Sequence, residues 1–390
     1  VAVSAVGPSA SAVTYYLGDG SVTVDKDDTR GAYSYQGEDG SEEHRTYVNE
    51  DEADHGTIYV KGGNAPTGDV TPPTDNSGNG TEETTTGNTI TVKEDVKDAT
   101  IVVDGVNVDT STSSDTPTEV PANAKENKTI IKVGEGADVD LTVKDSNLTT
   151  GGHGIDIGVN LDDKDDNKGA NVDLTLDHTQ INLTQNGKAG VNVQDNSNVD
   201  LTLKGENAID GSKATEKENI LTKRVNVEGI RVGGEGAGDG SGTSEGAKTH
   251  LTISGGVEKT ETAEADTEET ESPAGGSLTI SKTTGGLVMA VGSDVKITDG
   301  ADVTIEDTKT SSSTQAGRAV TQHGDLTISD GSSLTIDGVE DNAKQAPHTG
   351  IGIASWDDIT VEGGSTLDIS GATTGIYGHQ GASTSLTTED

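Results

Sequence analysis

The sequence predicts an all-β protein, a parallel β-helix whose coils each contain three short strands. Three observations support this fold class. The composition is 29% hydrophobic and only 2% aromatic, with no phenylalanine among 390 residues, so the chain lacks the bulky side chains that fill a thick core. Strand-like strings recur with the alternation typical of a half-buried strand. Two strand positions of one unit, Leu326 and Leu334, both recur 33 residues later, at Ile359 and Leu367.

The first strand of each unit has the clearest pattern. Val-Asp-Leu-Thr recurs at Val139, Val172 and Val199, and each string places an aliphatic residue at every second position. The predicted first strands begin near Val22, Ile90, Val139, Val172, Val199, Leu251, Val295, Leu326 and Ile359. These positions predict about nine coils, and Leu386 opens a further one.

A second and a third strand follow the first in fixed order. After Leu326 come Leu334-Thr335-Ile336 and Ile351-Gly352-Ile353, and after Ile359 come Leu367-Asp368-Ile369 and Ile376-Tyr377. The residues between strands are rich in Gly, Ser, Thr, Asp and Glu, which favour turns and loops. A solenoid has a core one residue thick, so Val, Ile and Leu suffice to fill it. An acidic disordered chain is the competing interpretation of the composition, and the regular recurrence of strands disfavours it.

The predicted organisation is a single solenoid over 18–390. An apolar strand segment over 1–17 precedes it, either as a cap for the first coil or as a strand donated to another subunit. Unequal distances between first strands predict insertion loops at the corners, near 62–87, 109–128, 205–226, 233–249 and 257–272. The last of these is a run of Glu and Thr, and we expect such long acidic corner loops to be solvated.

The charge balance limits the partners of the chain. It carries 68 acidic and 26 basic residues, a formal net charge of −42, which repels nucleic acid and anionic membrane surfaces. No apolar run is long enough to cross a bilayer. We therefore expect no nucleic-acid partner and no membrane insertion, whereas divalent cations and neutral sugars are compatible with this surface. Adaptation to high salt is another interpretation of the acidity, and it concerns habitat rather than function.

Four segments carry a resemblance to a known family. They are Ile101-Val-Val-Asp-Gly-Val-Asn-Val-Asp, Gly136-Ala-Asp-Val-Asp-Leu-Thr-Val-Lys, Gly275-Gly-Ser-Leu-Thr-Ile and Gly324-Asp-Leu-Thr-Ile-Ser-Asp-Gly-Ser-Ser-Leu-Thr-Ile. These segments resemble the pectate-lyase-like right-handed β-helices of large bacterial secreted and cell-surface proteins. The resemblance covers most of the chain from about Val22 and consists of a repeat pattern rather than a functional motif. It implies a right-handed solenoid located outside the cell, secreted or at the cell surface, with an adhesin-like or carbohydrate-binding role.

The sequence contains no evident catalytic constellation. Its eight histidines are scattered, and no Ser/His/Asp ordering, zinc-ligand spacing or phosphate loop occurs. On the third strands, Asp156, Asn192 and Arg231 share outward positions, followed in the same alignment by Gly352 and Tyr377. No second basic residue accompanies them, so we expect a solubilising column and no enzymatic activity.

Metal binding is predicted on the first strands. Asp140, Asp173 and Asp200 stack in one outward column on coils about 4.8 Å apart, and stacked like charges destabilise a sheet. Because Ca²⁺ prefers carboxylate oxygen, we expect it along this column, with Asp163 and Asp165 of an acidic loop as further ligands. A second outward column is predicted to contain Thr142, Thr175, Thr202, Thr252, Thr327 and Thr360, which are good strand residues for a solvated face.

Sugar binding is predicted near the C-terminal end. Trp356, Tyr377 and His379 gather in the last two coils, where aromatic faces can stack on a glycan. Host or environmental glycans are the expected ligands. The competing interpretation is that these are turn residues without a ligand.

The two ends of the solenoid predict self-assembly. Leu386 begins a coil whose other two strands do not follow, and the N-terminal segment supplies two apolar strand-like pieces. We expect copies of the chain to associate head-to-tail, with these pieces completing the last coil of the next subunit and generating a filament. The residues expected in this contact are Val1, Val3, Val6, Val13, Tyr15, Leu17 and Leu386. A capping role, or a chain that is a fragment of a longer polypeptide, explains the same pattern.

Together these features favour a non-enzymatic extracellular structural or surface protein, a stalk or fibre subunit with an adhesin-like role. The alternative is a secreted β-helix that binds or cleaves polysaccharide. Binding to a glycan array and cleavage of uronate polymers distinguish the two functions.

Overall fold

The structure of the chain is a computed structural model that describes residues 13–26, 33–36, 42–48, 57–64, 85–111, 128–161, 168–217, 226–234, 248–256, 275–310, 317–340, 350–379 and 386–388. Within these ranges the strands form three sheets, and successive coils contribute one strand to each sheet over most of the length. The chain is therefore a parallel β-helix with three strands per coil, as the sequence predicts. None of the helices in the same ranges is long and apolar enough to span a membrane.

Sheet 1 contains the first strand of each coil. In spatial order it comprises β1 (Val13–Tyr16), β5 (Thr57–Lys61), β7 (Ala99–Asp104), β10 (Asp138–Lys144), β13 (Asn171–Asp177), β16 (Asn198–Lys204), β19 (Thr249–Gly255), β22 (Ser293–Thr298), β25 (Leu326–Ile328), β28 (Ile359–Val361) and β31 (Leu386–Thr388). Buried aliphatic residues alternate with polar ones along these strands, as one solvated face requires. Equivalent residues lie opposite one another, for example Leu141 and Leu174.

Sheet 2 contains the second strands and starts later along the chain. It comprises β8 (Asn107–Asp109), β11 (Asn147–Thr150), β14 (Gln180–Leu183), β17 (Glu206–Asp210), β20 (Ser277–Ser281), β23 (Asp302–Thr308), β26 (Ser333–Val339) and β29 (Thr366–Ser370). All of its neighbouring strands are parallel. In the described residues, the first coils therefore contribute strands to sheets 1 and 3 only.

Sheet 3 contains the third strands and carries a hairpin at its N-terminal side. It comprises β3 (Tyr33–Gln36), β4 (Glu42–Val48), β2 (Ser21–Lys26), β6 (Ile90–Val92), β9 (Ile131–Gly134), β12 (Ile155–Val159), β15 (Lys188–Val193), β18 (Val227–Val232), β21 (Gly285–Met289), β24 (Arg318–Gln322), β27 (Ile351–Ser355) and β30 (Thr374–Gly378). β3 pairs antiparallel with β4, unlike the other neighbours in this sheet. The antiparallel strand covers an edge to which a further coil would otherwise add.

The predicted first strands from Val139 onwards all lie in sheet 1, but two earlier ones do not. Val22 and Ile90 lie opposite each other on β2 and β6 of sheet 3, so their assignment as first strands is wrong. The N-terminal members of sheet 1 are β1, β5 and β7 instead. The reason is physical: strands of sheets 1 and 3 both alternate with period 2, and alternation alone does not identify the sheet.

The predicted threonine column is divided between two columns. Thr202 lies opposite Ser254, whereas Thr252 lies opposite Asp200. Thr327 and Thr360, which lie opposite each other, continue the column of Asp200 through Lys296 of β22. A shift of two residues keeps a side chain on the same face of a strand, so the alternation did not reveal this difference.

One predicted corner loop contains regular structure. Residues Glu206–Asp210 within the loop placed near 205–226 form β17, and Ser212–Lys217 form a short helix, α1. β17 has only one large aliphatic residue, Ile209, and therefore gives little alternation. Residues 65–84, 112–127, 235–247 and 257–274, which make up most of the other predicted insertions, lie outside the described residues.

The core is a set of aliphatic columns between the three sheets. Leu141, Leu174 and Leu201 follow one another on sheet 1, each at most 1% exposed. Small branched residues fill this narrow interior, which explains how a chain without phenylalanine buries a continuous core.

A column of glycines lets sheet 3 approach sheet 2. Gly154 and Gly190 occupy equivalent positions, one residue before Ile155 and Val191, which pair on adjacent strands. A Cβ at Gly190 would lie 2.6 Å from Cγ2 of Ile209 on sheet 2 and 2.9 Å from a backbone oxygen. The glycine side of sheet 3 therefore accommodates the isoleucine column of sheet 2.

We expect Gly190→Ala to destabilise the protein by about 1–3 kcal/mol, because the added methyl group overpacks this contact. Gly375→Ala is the matched control, since Gly375 lies in the same column, opposite Gly352, and a Cβ there meets nothing within 4 Å. The free energy of unfolding from urea titration measures both effects. Equal stabilities of the two variants would contradict the close approach of the sheets.

Candidate functional site

The predicted calcium column is aligned on sheet 1. Asp140, Asp173 and Asp200 lie opposite one another, and all three are exposed. Partial desolvation, together with the neighbouring Asp140 and Asp200 carboxylates, raises the pKa of Asp173. One carboxylate per coil extends along the rod, so the column does not gather three carboxylates around one ion. Calcium binding there stays a prediction, and Asp163 and Asp165 lie outside the described residues.

The polar column of sheet 3 is buried, which corrects the expectation of a solubilising surface. Asp156, Asn192 and Arg231 lie opposite one another. The exposed fractions of these residues are only 6%, 0% and 5%, respectively. Asn192 Nδ2 and Gln194 Nε2 donate to Asp156 Oδ1 at 2.8 and 3.0 Å. Burial raises the pKa of Asp156, although these amide donors favour the carboxylate. The Arg231 guanidinium forms a buried ion pair with the Glu228 carboxylate.

Other coils carry residues of different kinds at the same position, with Lys132 of β9 opposite Asp156. Beyond Arg231 the column continues through Val288, Thr321 and Ala354. Placing Gly352 in this column is wrong, because Ala354 is the residue opposite Tyr377. The fold therefore does not require charge at this position. Burying the charged side chains of Asp156 and Arg231 costs desolvation and makes this part of sheet 3 distinct from the rest.

His153 completes the buried polar cluster. Its Nδ1 accepts a hydrogen bond from the backbone N–H of Ala189 in the next coil at 3.0 Å, so the neutral ring carries its proton on Nε2. Burial, with the positive charges of Arg231 and Lys188, lowers the pKa of His153 to about 3. The imidazole is therefore neutral near pH 7 and acts as a fixed acceptor that joins two coils.

An aromatic stack lies at the corner after sheet 3. Trp356 is sandwiched between His323 and His379, with ring centroids at 4.0 and 3.6 Å and interplanar angles of 21° and 13°. Tyr377 meets His379 edge-on at 4.9 Å, and the Arg318 guanidinium lies 5.8 Å from the Trp356 ring centroid. The three predicted ligand-binding residues are thus brought together.

The stack reduces the aromatic surface of Trp356 that a sugar could contact. Both faces of Trp356 are occupied by imidazole rings, so a sugar cannot stack on either face in this arrangement. Glycan binding by Trp356, Tyr377 and His379 stays a prediction, and the edge of the indole is the part of Trp356 that the two imidazole rings leave uncovered.

Three carboxylates lie beside this stack, in a group that we call the acidic corner. Asp325 directly precedes β25, and Asp357 and Asp358 directly precede β28 in the next coil. Their carboxylate oxygens lie within 4.8 Å of one another, and no other group of His, Cys, Asp and Glu in the described residues meets this criterion. Desolvation, followed by the Asp357 and Asp294 carboxylates, raises the pKa of Asp325.

The sequence analysis missed the acidic corner, although a signal for it was present. Asp325 and Asp358 are separated by 33 residues, the same displacement that identifies the repeat. Two aspartates at equivalent positions of consecutive coils are brought to one strand spacing. A search of the turns, rather than of the strands, for repeated carboxylates would have found this pair.

Comparison of the chain with protein-family models, with curated proteins and with solved structures finds no significant match. The pectate-lyase-like resemblance therefore extends to the three-strand β-helix and no further. Functional conclusions rest on the surfaces and side chains described above.

We expect acid to destabilise the protein through His153. Its pKa is about 3 when folded and about 6.5 when unfolded, so the unfolded state binds the proton more tightly, and stability present above pH 6.5 is lost as the pH falls toward 3. The loss approaches about 4 kcal/mol at the acid end. His153→Asn removes the titration, so the difference in unfolding free energy between variant and wild type should vary with pH in this window. A pH-independent difference would show that His153 does not titrate as described.

Proposed function

We propose that this chain is a non-enzymatic extracellular structural protein, a stalk or fibre subunit with an adhesin-like role, which associates with copies of itself through the C-terminal end of its solenoid. A rod of stacked coils is a suitable shape for a stalk, because its length scales with the number of coils. The buried charged groups of sheet 3 have partners within the chain, Asp156 with two amides and Arg231 with Glu228, so the proposal includes no catalytic role for them.

The observation that carries the proposal is the apolar surface of the last coil. Leu367, Ile369 and Ile376 pack against the core but are only partly buried, whereas Leu334 and Ile336, one coil earlier on sheet 2, are fully buried. Among the described strands, none pairs with the outer edges of β29 and β30. Within the described residues, β29 and β30 therefore combine unpaired outer edges with apolar side chains, the combination that favours addition of another β-structure.

The described residues of the N-terminal segment do not have the role that the strand-donation hypothesis gives them. Val13–Tyr16 forms β1 and pairs with β5 of the same chain, and Tyr15 and Leu17 are buried in the chain's own core. These residues support the capping alternative and are not free for donation. Val1, Val3 and Val6 lie outside the described residues, and their contribution to a contact between copies stays a prediction. Leu386 pairs with Ile359 on sheet 1, so β31 is part of the C-terminal surface.

Charge favours contact between ends over contact between sides. The outer face of sheet 1 exposes carboxylates such as Asp140, Asp173 and Asp200, and the whole chain carries a net charge of −42. Side-by-side packing would oppose like-charged faces, whereas the last coil presents Leu367, Ile369 and others. Assembly along the rod axis is the arrangement that this distribution supports, and the head-to-tail order of the copies stays a prediction.

We expect the full chain to form oligomers whose size increases with protein concentration in sedimentation velocity experiments. The double variant Ile369→Lys, Ile376→Lys should sediment as a monomer, because it places charges in the apolar end surface. Thr327→Lys with Thr335→Lys, which adds the same charge to the side of the rod, is the control and should still assemble. A wild-type chain that is monomeric at every concentration, or a control that disperses equally, would exclude this contact.

A second function, glycan binding, is favoured by the acidic corner beside the aromatic stack. Carboxylates accept hydrogen bonds from sugar hydroxyl groups, and the edge of the Trp356 ring system lies in the same corner. We expect glycan-array binding by the wild type to be lost in Asp358→Asn and kept in Asp368→Asn, an exposed aspartate of β29. Absence of wild-type binding would reject this function, and cleavage of uronate polymers would support the polysaccharide-cleaving alternative instead.

A further inference from the structure

The aromatic stack connects three consecutive coils at the corner after sheet 3. His323, Trp356 and His379 each directly follow a strand of this sheet, namely β24, β27 and β30. The Trp356 N–H donates to the Gln322 carbonyl oxygen of the preceding coil at 3.0 Å. The His379 N–H donates to the Ser355 carbonyl oxygen at 3.0 Å in the same way. The backbone therefore fixes one imidazole ring on each face of the indole.

The imidazole rings are the part of this stack whose charge changes near neutral pH. An imidazole ordinarily titrates near about pH 6.5, whereas the indole stays neutral. The face of an indole attracts a cation that lies within about 6 Å of the ring centroid. The rings of His323 and His379 lie 4.0 and 3.6 Å from that of Trp356, inside this distance. Protonation therefore turns two contacts between neutral rings into two cation–π contacts.

Carboxylates near the stack favour this added positive charge. Asp325 follows His323 by two residues, and the other two members of the acidic corner are the two residues after Trp356. Asp294 of β22 is a fourth carboxylate and acts electrostatically on Asp325. His250 of β19 pairs with Asp294 at 3.1 Å. Close carboxylates repel one another, and a nearby cation relieves this repulsion.

One positive charge opposes protonation of the stack. The Arg318 guanidinium of β24 lies 5.8 Å from the Trp356 ring centroid. Tyr377 of β30 meets His379 edge-on as a neutral phenol. The nearby carboxylates outnumber this arginine, so two protonated imidazoles reduce the excess negative charge of the corner. The surroundings therefore favour the protonated stack.

We propose that the aromatic stack is a pH-sensitive switch that binds β30 more tightly to the preceding coils when His323 and His379 are protonated. All three rings are only partly buried, so protons reach them from solvent. Because the protonated form makes the stronger contact, the added stabilisation of β30 is present below about pH 6.5 and is lost as the pH rises above it. In the described residues β30 is the last strand of sheet 3, so the switch acts on the C-terminal coil. It depends on neither the assembly proposal nor the glycan-binding proposal.

The switch and His153 respond to acid in opposite directions. Acid lowers the global stability through His153, which is buried and neutral near pH 7, whereas it raises the local stability of β30. Measurements confined to the C-terminal coil separate the two effects. Trp356 provides one such measurement, because it is the only tryptophan of the chain and a protonated imidazole in contact with an indole quenches its fluorescence.

With the full chain, we expect the Trp356 emission to fall between about pH 8 and about pH 5.5, on either side of the ordinary imidazole value. The variant His323→Phe with His379→Phe keeps a ring on each face of the indole but has no titratable nitrogen there, so its emission should not change with pH. His178→Asn is the matched control, because it removes a half-exposed histidine between β13 and β14. This control should titrate as the wild type does.

Hydrogen exchange of the β30 amides measures the tighter binding itself. After correction for the pH dependence of intrinsic exchange, their protection factors should be about three- to tenfold higher at about pH 5.5 than at about pH 8, as cation–π contacts of ordinary strength imply. The double Phe variant should lose this increase, and His379→Phe alone should lose part of it if circular dichroism shows the double variant to be unfolded. Wild-type emission independent of pH, wild-type protection of β30 that does not rise, or a folded double variant that titrates as the wild type does would overturn the proposal.

Discussion

Parallel hydrogen bonding between equivalent strands of consecutive coils is the constraint on which the rest of the structure depends. Each strand of sheet 1 from β10 to β16 pairs in register over its full length with the same strand of the next coil. Every side chain therefore lies one strand spacing, about 4.8 Å, from its counterpart. The properties of the molecule are consequently properties of columns rather than of single residues.

The columns have opposite effects depending on their chemistry. Leucine on leucine fills a narrow core, and Asn192 Nδ2 donates to Asp156 Oδ1 of the preceding coil at 2.8 Å, so these columns stabilise the stack. Aspartate on aspartate opposes it, as the raised pKa of Asp173 indicates. The turns after sheet 3 contain a stabilising column and a destabilising one side by side. The stabilising column is the ring stack around Trp356, and the destabilising one is the acidic corner. This juxtaposition supports the glycan-binding proposal, whereas the assembly proposal depends on the apolar residues of β29 and β30.

Sequence patterns predicted most of the fold, because alternation and a recurring displacement are direct consequences of stacked coils. They predicted the strands at Val139, Val172 and Leu326 and the alignment of Asp156 with Asn192. They did not predict that this alignment is buried, because alternation reports which residues share a face, not whether that face is covered. Insertions of unequal length also changed the register beyond Asp200, where a shift of two residues leaves the alternation unaltered. The acidic corner was missed because its residues lie in turns, which the strand pattern does not describe.

The most direct test of the stacked-column account is disulfide trapping, for which a chain without cysteine is well suited. Thr202 and Ser254 lie opposite each other on β16 and β19, with their hydroxyl oxygens 3.3 Å apart, so Thr202→Cys with Ser254→Cys should oxidise readily. Thr202→Cys with Thr252→Cys places the second thiol two residues out of register and should not cross-link. The account predicts a disulfide in the first pair alone. Cross-linking of the second pair in preference to the first would contradict the register, and with it the columns on which the core and the acidic corner depend.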